Sequence, residues 1–79
     1  MKMVEAIAKR LADLIAEKNI SQYELAKRAT IDASTIYNLF HNRIKTITVD
    51  TLWLIASALD LTIQEFLAHP LFSVENIEL

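Results

Sequence analysis

The stretch ASTIYNLF, residues 33–40, carries Ser34, Tyr37 and Asn38 where an isolated surface helix would carry Glu and Lys. Together with Ala33 they fall at steps of one, three and four, so on a helix they share one outward face. Small, uncharged hydrogen-bonding groups of this kind suit the recognition of another polar surface. An Asn amide can pair both its donor and its acceptor with an adenine edge, Ser adapts to either kind of partner, and the Ala methyl suits a thymine methyl. Gln22 offers an amide at a helix start, suited to phosphate, and Arg43 and Lys45 offer cations in a loop. Catalysis finds no comparable set. The chain has no Cys, its two His stand at positions 41 and 69 without metal-ligand spacing, and without Gly it cannot build a Gly-rich phosphate loop. No enzymatic activity, no metal and no cofactor are expected.

These groups need a frame, and apolar periodicity supplies five helices. Val4, Ile7, Ala8, Leu11, Leu14 and Ile15 recur at steps of three and four, predicting an amphipathic helix to about Lys18. Ser21 followed by Glu24 predicts a reciprocal capping box and a short second helix to about Ala29. Asp32 is a good acceptor for free amides, so a third helix is expected from Ala33 to about Phe40. Ile36 and Leu39 face inward, and Asn42 takes the left-handed turn that stops it. Thr48 caps a fourth helix from Val49 to Leu59, with Leu52, Ile55, Ala56 and Leu59 as its buried stripe. Thr62 and Glu65 start a short fifth helix to about Leu67, which Pro70 ends. Phe72 and Val74 alternate with polar neighbours, which suggests an extended tail, and His69 reads as structural. With no Gly, every sharp turn must use Asn, Asp or Thr.

Length and charge bound the answer further. A chain of 79 residues is one small domain that buries roughly 60% of its unfolded surface and has no disulfide to help it. The first segment interrupts its apolar residues with Glu5, Lys9, Arg10 and Asp13, so it reads neither as a signal peptide nor as a membrane span, and a cytoplasmic protein is expected. The net charge of −2 argues against strong nonspecific attraction to nucleic acid. That average hides an asymmetry. All eight Lys and Arg precede residue 60, where six acids leave a balance of +2, whereas residues 60–79 hold four acids and no Lys or Arg.

From about Arg10 to Leu67 the segments SQYELAKRATIDASTIYNLF, TVDTLWLIASAL and LTIQEFL resemble the Cro/repressor (XRE-type) helix-turn-helix family of bacterial and phage DNA-binding regulators. The resemblance implies an all-α, five-helix lambda-repressor-like DNA-binding domain over residues 1–69, with residues 70–79 as a short C-terminal extension. It implies that the helix 33–40 reads the major groove of double-stranded DNA through Ala33, Ser34, Tyr37 and Asn38. It places phosphate contact on Ser21 and Gln22, and backbone approach on Arg43 and Lys45. Two short helices joined by about three residues also cross steeply on geometric grounds alone. His41 reads as a surface or turn residue, with phosphate contact as the alternative, and Lys27 and Arg28 as either a solvated face or further phosphate contacts. Departures stand at Thr30 and Asn42, where the family usually has Gly, and at Ile47, where Pro often stands. Asp32 would repel phosphate unless the helix amides it caps hold its carboxylate. The reading helix has no Arg or Lys, so strong guanine readout is not expected and A/T-rich half-sites are the better match.

One property exceeds what a five-helix core of this size needs. Trp53 and Leu54 lie outside the fourth helix's stripe, and the tail adds Leu71, Phe72, Val74 and Ile77. Three outcomes follow: the tail folds back over Trp53 and Leu54, or Trp53, Leu54, Leu71, Phe72 and Val74 form a homodimer surface, or they take a different protein partner. A two-fold dimer would span two half-sites about one DNA turn apart. The expected function is a sequence-specific transcriptional regulator of the repressor-like kind; the rival is a protein-binding module, such as the antitoxin of a toxin–antitoxin pair.

Overall fold

The computed structural model describes residues 1–78. Five α-helices follow one another, α1 (Met3–Lys18), α2 (Gln22–Ala29), α3 (Ala33–Phe40), α4 (Val49–Ala58) and α5 (Ile63–Leu67), and a 3₁₀ turn at Pro70–Phe72 closes the series. No strand occurs among the described residues. The all-α, five-helix expectation therefore holds, with α4 ending one residue early at the half-helical Leu59.

The helices start where oxygen-bearing side chains meet free amides. Ser21 accepts from the Glu24 amide at 3.0 Å, and Thr48 from the Thr51 amide at 3.1 Å. At Thr62 the box is complete: its hydroxyl accepts from the Glu65 amide at 3.0 Å, and the Glu65 carboxylate from the Thr62 amide at 2.9 Å. Of the two other expected caps, that of α2 is made in part and that of α3 is not made. Glu24 does not return to Ser21 but accepts from Arg28 Nε at 3.1 Å one turn on, because an ion pair at four-residue spacing competes for the same carboxylate. Asp32 precedes α3 with no side-chain hydrogen bond to its amides, so its carboxylate stays exposed at the helix entrance.

The turns solve the absence of Gly. Four residues take positive φ, Asn19, Thr30, Asn42 and Asp60, all of the three types the composition leaves for the task. Asn pays little for this conformation because its short amide tolerates it; Thr, branched at Cβ, strains at φ 55°.

The core is one cluster. The α1 stripe, Val4, Ile7, Ala8, Leu11, Leu14 and Ile15, packs with Leu25 and Ala26 of α2, Ile36 and Leu39 of α3, the α4 stripe and Phe66 of α5. Ile47, in the place of the expected Pro, is half-buried against this cluster. Arg10 reaches from α1 to the end of α5, donating from Nε to the Phe66 carbonyl at 2.9 Å and from its terminal nitrogen to the Glu65 carbonyl at 3.2 Å. It thereby satisfies the Phe66 carbonyl at the helix end and adds a second donor to the Glu65 carbonyl, which also accepts from the Ala68 amide at 3.4 Å.

The tail corrects the extended reading. Pro70 sits at the start of the 3₁₀ turn, and His69 caps it by accepting the Leu71 amide on Nδ1 at 3.1 Å. Phe72 turns inward to lie 6.2 Å from the Phe66 ring. The chain then returns to α1's start, where the Met1 ammonium donates to the Asn76 carbonyl at 2.8 Å and the Glu78 amide to the Met1 carbonyl at 2.9 Å. The tail does fold back, but onto α1 and α5, and it leaves Trp53 57% exposed.

Candidate nucleic-acid interface

Burial of two side chains orients α3. Ile36 and Leu39 are almost fully buried, and α3 packs on α1 and α2, so the opposite face of the same two turns must point outward. Ala33, Ser34 and Tyr37 are exposed on that face and Asn38 is half-buried at its edge. Neither the Ser34 hydroxyl nor the Asn38 amide makes a hydrogen bond to another described residue, so both keep their polar atoms for an outside partner. The four residues thus lie together, as their spacing predicted.

The connection from α2 is short and sharply bent. The Thr30 amide donates to the Lys27 carbonyl at 3.3 Å and the Ile31 amide to the Ala26 carbonyl at 3.0 Å, the double closure that ends a helix through one left-handed residue. α3 begins two residues later and crosses α2, which in turn packs on α4. Ser21 is exposed at the start of α2 but its hydroxyl is occupied by the cap; Gln22 beside it is half-buried with no side-chain hydrogen bond to another described residue. Tyr23, 70% exposed one residue on, lies next to this pair and was not singled out by its type.

At the other end of α3 the chain closes in the same way. Asn42 is left-handed, and the Arg43 amide reaches back to the Asn38 carbonyl at 2.9 Å. This closure brings three side chains into one stack. The Tyr37 and His41 rings lie 3.9 Å apart, tilted by only 19°, and the Arg43 guanidinium carbon is 5.4 Å from the Tyr37 ring centre. Arg43 and Lys45 are exposed, and neither is in an ion pair with a described residue. Arg28 is engaged with Glu24, whereas Lys27 is exposed and unpaired among the described residues. The sequence pointed to Tyr37 and Arg43 separately; that His41 joins them depends on its falling one turn after Tyr37, a spacing visible in the sequence but silent about stacking.

The charge pattern matches this geometry. Every cation of the chain lies before residue 60, and none of the acidic residues falls on the exposed α3 face itself. The family pattern of the Cro/C1-type helix-turn-helix DNA-binding domain matches residues 10–70, most of the chain. The chain belongs to the Cro/C1-type helix-turn-helix family. No curated protein matches it, and no solved structure does. Within this Cro/C1-type domain, α2 and α3 are the two crossing helices and residues 30–32 the turn between them.

A second exposed surface is apolar. Val49 and Trp53 stand one turn apart on α4, 71% and 57% exposed, with Leu54 half-buried next to them. Of the five residues expected to form a shared apolar surface, only Trp53 and Val74 are exposed; Leu71 is half-buried, and Phe72 is half-buried against the chain's own core. Val49 belongs with Trp53 but escaped notice as a helix-start residue. No helix is long and apolar enough to cross a membrane, and no group of three or more His, Cys, Asp or Glu could hold a metal, among the described residues.

Proposed function

We propose that this Cro/C1-type domain is a sequence-specific transcriptional regulator that reads the DNA major groove with α3. The observation that carries the reading is the outward face of Ala33, Ser34, Tyr37 and Asn38, whose side-chain polar atoms find no hydrogen-bond partner among the described residues, flanked by Arg43 and Lys45, which form no ion pair there. Asn38 bonds the adenine edge, Ser34 an adjacent base, Ala33 a thymine methyl, and Tyr37 a base or the neighbouring backbone. Gln22, with Ser21 beside it, and Arg43 with Lys45 anchor phosphates on either side, fixing the helix in the groove without reading sequence. The domain comprises residues 1–69 and the extension residues 70–79, and the protein works in the cytoplasm.

An eight-residue reader without Arg or Lys supplies little affinity alone, so the functional unit is a homodimer spanning two A/T-rich half-sites about one helical turn apart. Trp53, with Leu54, is the candidate contact between copies, and Val49 extends it. Selecting bound duplexes from a random pool, with the mass in solution measured alongside, tests both statements: recovery of a two-fold symmetric A/T-rich site and a dimer mass is the expected result. The same exposed α4 pair favours a second reading, a protein-binding module of the antitoxin kind. Salt separates them: DNA affinity falls steeply as salt rises, whereas an apolar protein contact barely responds.

A further inference from the structure

His41 closes α3, and its ring is held in a way that its exposure alone would not require. Its backbone amide donates to the Tyr37 carbonyl at 3.0 Å, and its Nδ1 lies 2.8 Å from the same oxygen. A carbonyl oxygen only accepts, so Nδ1 carries the hydrogen. In the neutral ring Nε2 is then a bare lone pair, and protonation turns that atom from an acceptor into a donor while the Nδ1 bond stays intact. Stacking on Tyr37 fixes the ring plane, and among the described residues Nε2 has no hydrogen-bond partner.

The charges around it leave a proton on Nε2 without a counterion among the described residues. The following loop brings Arg43 and Lys45, both cations. α1 brings Glu5 and Lys9 to the hollow beside Phe40 and Asn42, where Glu5 accepts the Lys2 amide at 2.8 Å. α2 carries Lys27 together with Glu24 and Arg28, which pair with one another. Tyr37 is the titratable group in contact, and α3 contributes only the negative end of its dipole. No carboxylate pairs with His41 or Arg43 among the described residues.

We infer that His41 is a proton-linked phosphate contact: when the α3 face docks, Nε2 takes a proton from solvent and donates it in a hydrogen bond to a backbone phosphate oxygen, beside Arg43. The inference rests on the reading that α3 docks on DNA. A phosphate at Nε2 favours the charged ring, so docking takes up a proton and affinity climbs as pH falls.

The test measures binding of a labelled selected duplex at fixed salt between about pH 8 and about pH 5.5, for the wild type and His41→Gln. The wild type is expected to tighten roughly tenfold more than the variant, the size of one charge-assisted hydrogen bond. Calorimetry in two buffers of different ionisation heat should show up to about one proton taken up per copy by the wild type and less by the variant. Nitrogen chemical shifts of the free protein's imidazole should report the Nδ1–H tautomer. Equal pH dependence in both proteins, or the opposite tautomer, overturns the inference and leaves the docking reading standing. No duplex binding at any pH overturns the docking reading itself, and this inference with it. His41→Gln gives up the Nδ1 bond and the stack, so both proteins are compared well below their melting temperatures, and Tyr37→Phe, which keeps the stacking ring, should retain the wild-type pH response.

Discussion

Exposed groups on the α2–α3 side and exposed groups on the side of α4 and the tail are mounted on one core, yet they carry different chemistry. Between residues 21 and 45 the exposed groups are mostly hydroxyls, amides and cations around a stacked Tyr, His and Arg, with the Asp32 carboxylate at the entrance of α3 and Tyr23 on α2. Beyond residue 48 the exposed groups include the apolar Val49 and Trp53, and the charged ones, Asp50, Asp60, Glu65, Glu75 and Glu78, are all acidic. A buried position is constrained by volume and apolarity wherever it lies, so the interior cannot explain the contrast. Under the proposed function the contrast reflects two outside partners, a polyanion on the first side and an apolar surface on the second.

The largest expected effect tests whether the two sides share a frame. Phe66 is fully buried between α1, α5 and the tail, contacted by Phe72 and by Arg10, whose guanidinium carbon is 5.9 Å from its ring centre. Phe66→Ala should lower unfolding stability by about 3–5 kcal/mol, read by urea denaturation. Since stability of a small domain is itself about 5–15 kcal/mol, both surfaces should be lost in one transition. Separate melting of α3 and of the tail would show two frames instead of one.

Next in size, Asn38→Ala should weaken binding to the selected duplex by about 1–3 kcal/mol and relax preference at one base pair. Arg43→Ala should weaken selected and random duplexes alike, and shrink the slope of log affinity against log salt by about one unit. Identical behaviour of the two variants on both kinds of duplex would erase the division between reader and anchor. A comparable loss of DNA affinity in a Trp53→Ser variant held as a monomer on a single half-site would erase the division between the two sides.

The frame was largely readable from residue order. The buried stripes of α1, α3 and α4 followed from period-3.6 apolar spacing, and the left-handed turn at Asn42 and the residue types available at the other turns from the exclusion of Gly; the positions of Asn19 and Asp60 and the burial of Leu25, Ala26 and Phe66 did not. What escaped was decided by competition or by tertiary contact. Glu24 could bond the Ser21 amide or pair with Arg28, and the sequence contains both partners. Asp32 had the type of a cap without the geometry. The tail's alternation resembled a strand because Phe72's true partner, Phe66, lies across the fold. At the site, the outward face of α3 followed from its spacing, but the His41 stack required knowing where the chain turns after Phe40.

The smallest effect separates frame from surface most cleanly, at the two left-handed residues that bracket α3. Thr30 holds φ 55° against its branched Cβ, with its hydroxyl donating to the Ala29 carbonyl at 2.6 Å; Asn42 holds the same φ with a side chain that tolerates it. Thr30→Gly removes the steric strain, loses that hydroxyl bond and adds entropy to the unfolded chain, terms that leave a net gain of about 0.5 kcal/mol. In a domain of this size that raises the melting temperature by about 2–4 °C. Asn42→Gly should move it by less, because there is less strain to relieve. Neither change touches the exposed face of α3, so affinity for the selected duplex should stay unchanged in both. A drop in melting temperature for Thr30→Gly would mean that the Thr30 hydroxyl, not relief of the backbone, dominates the turn. A change in affinity without a change in stability would mean that the angle between α2 and α3 depends on the side chain at residue 30, so that the turn itself takes part in positioning the reader.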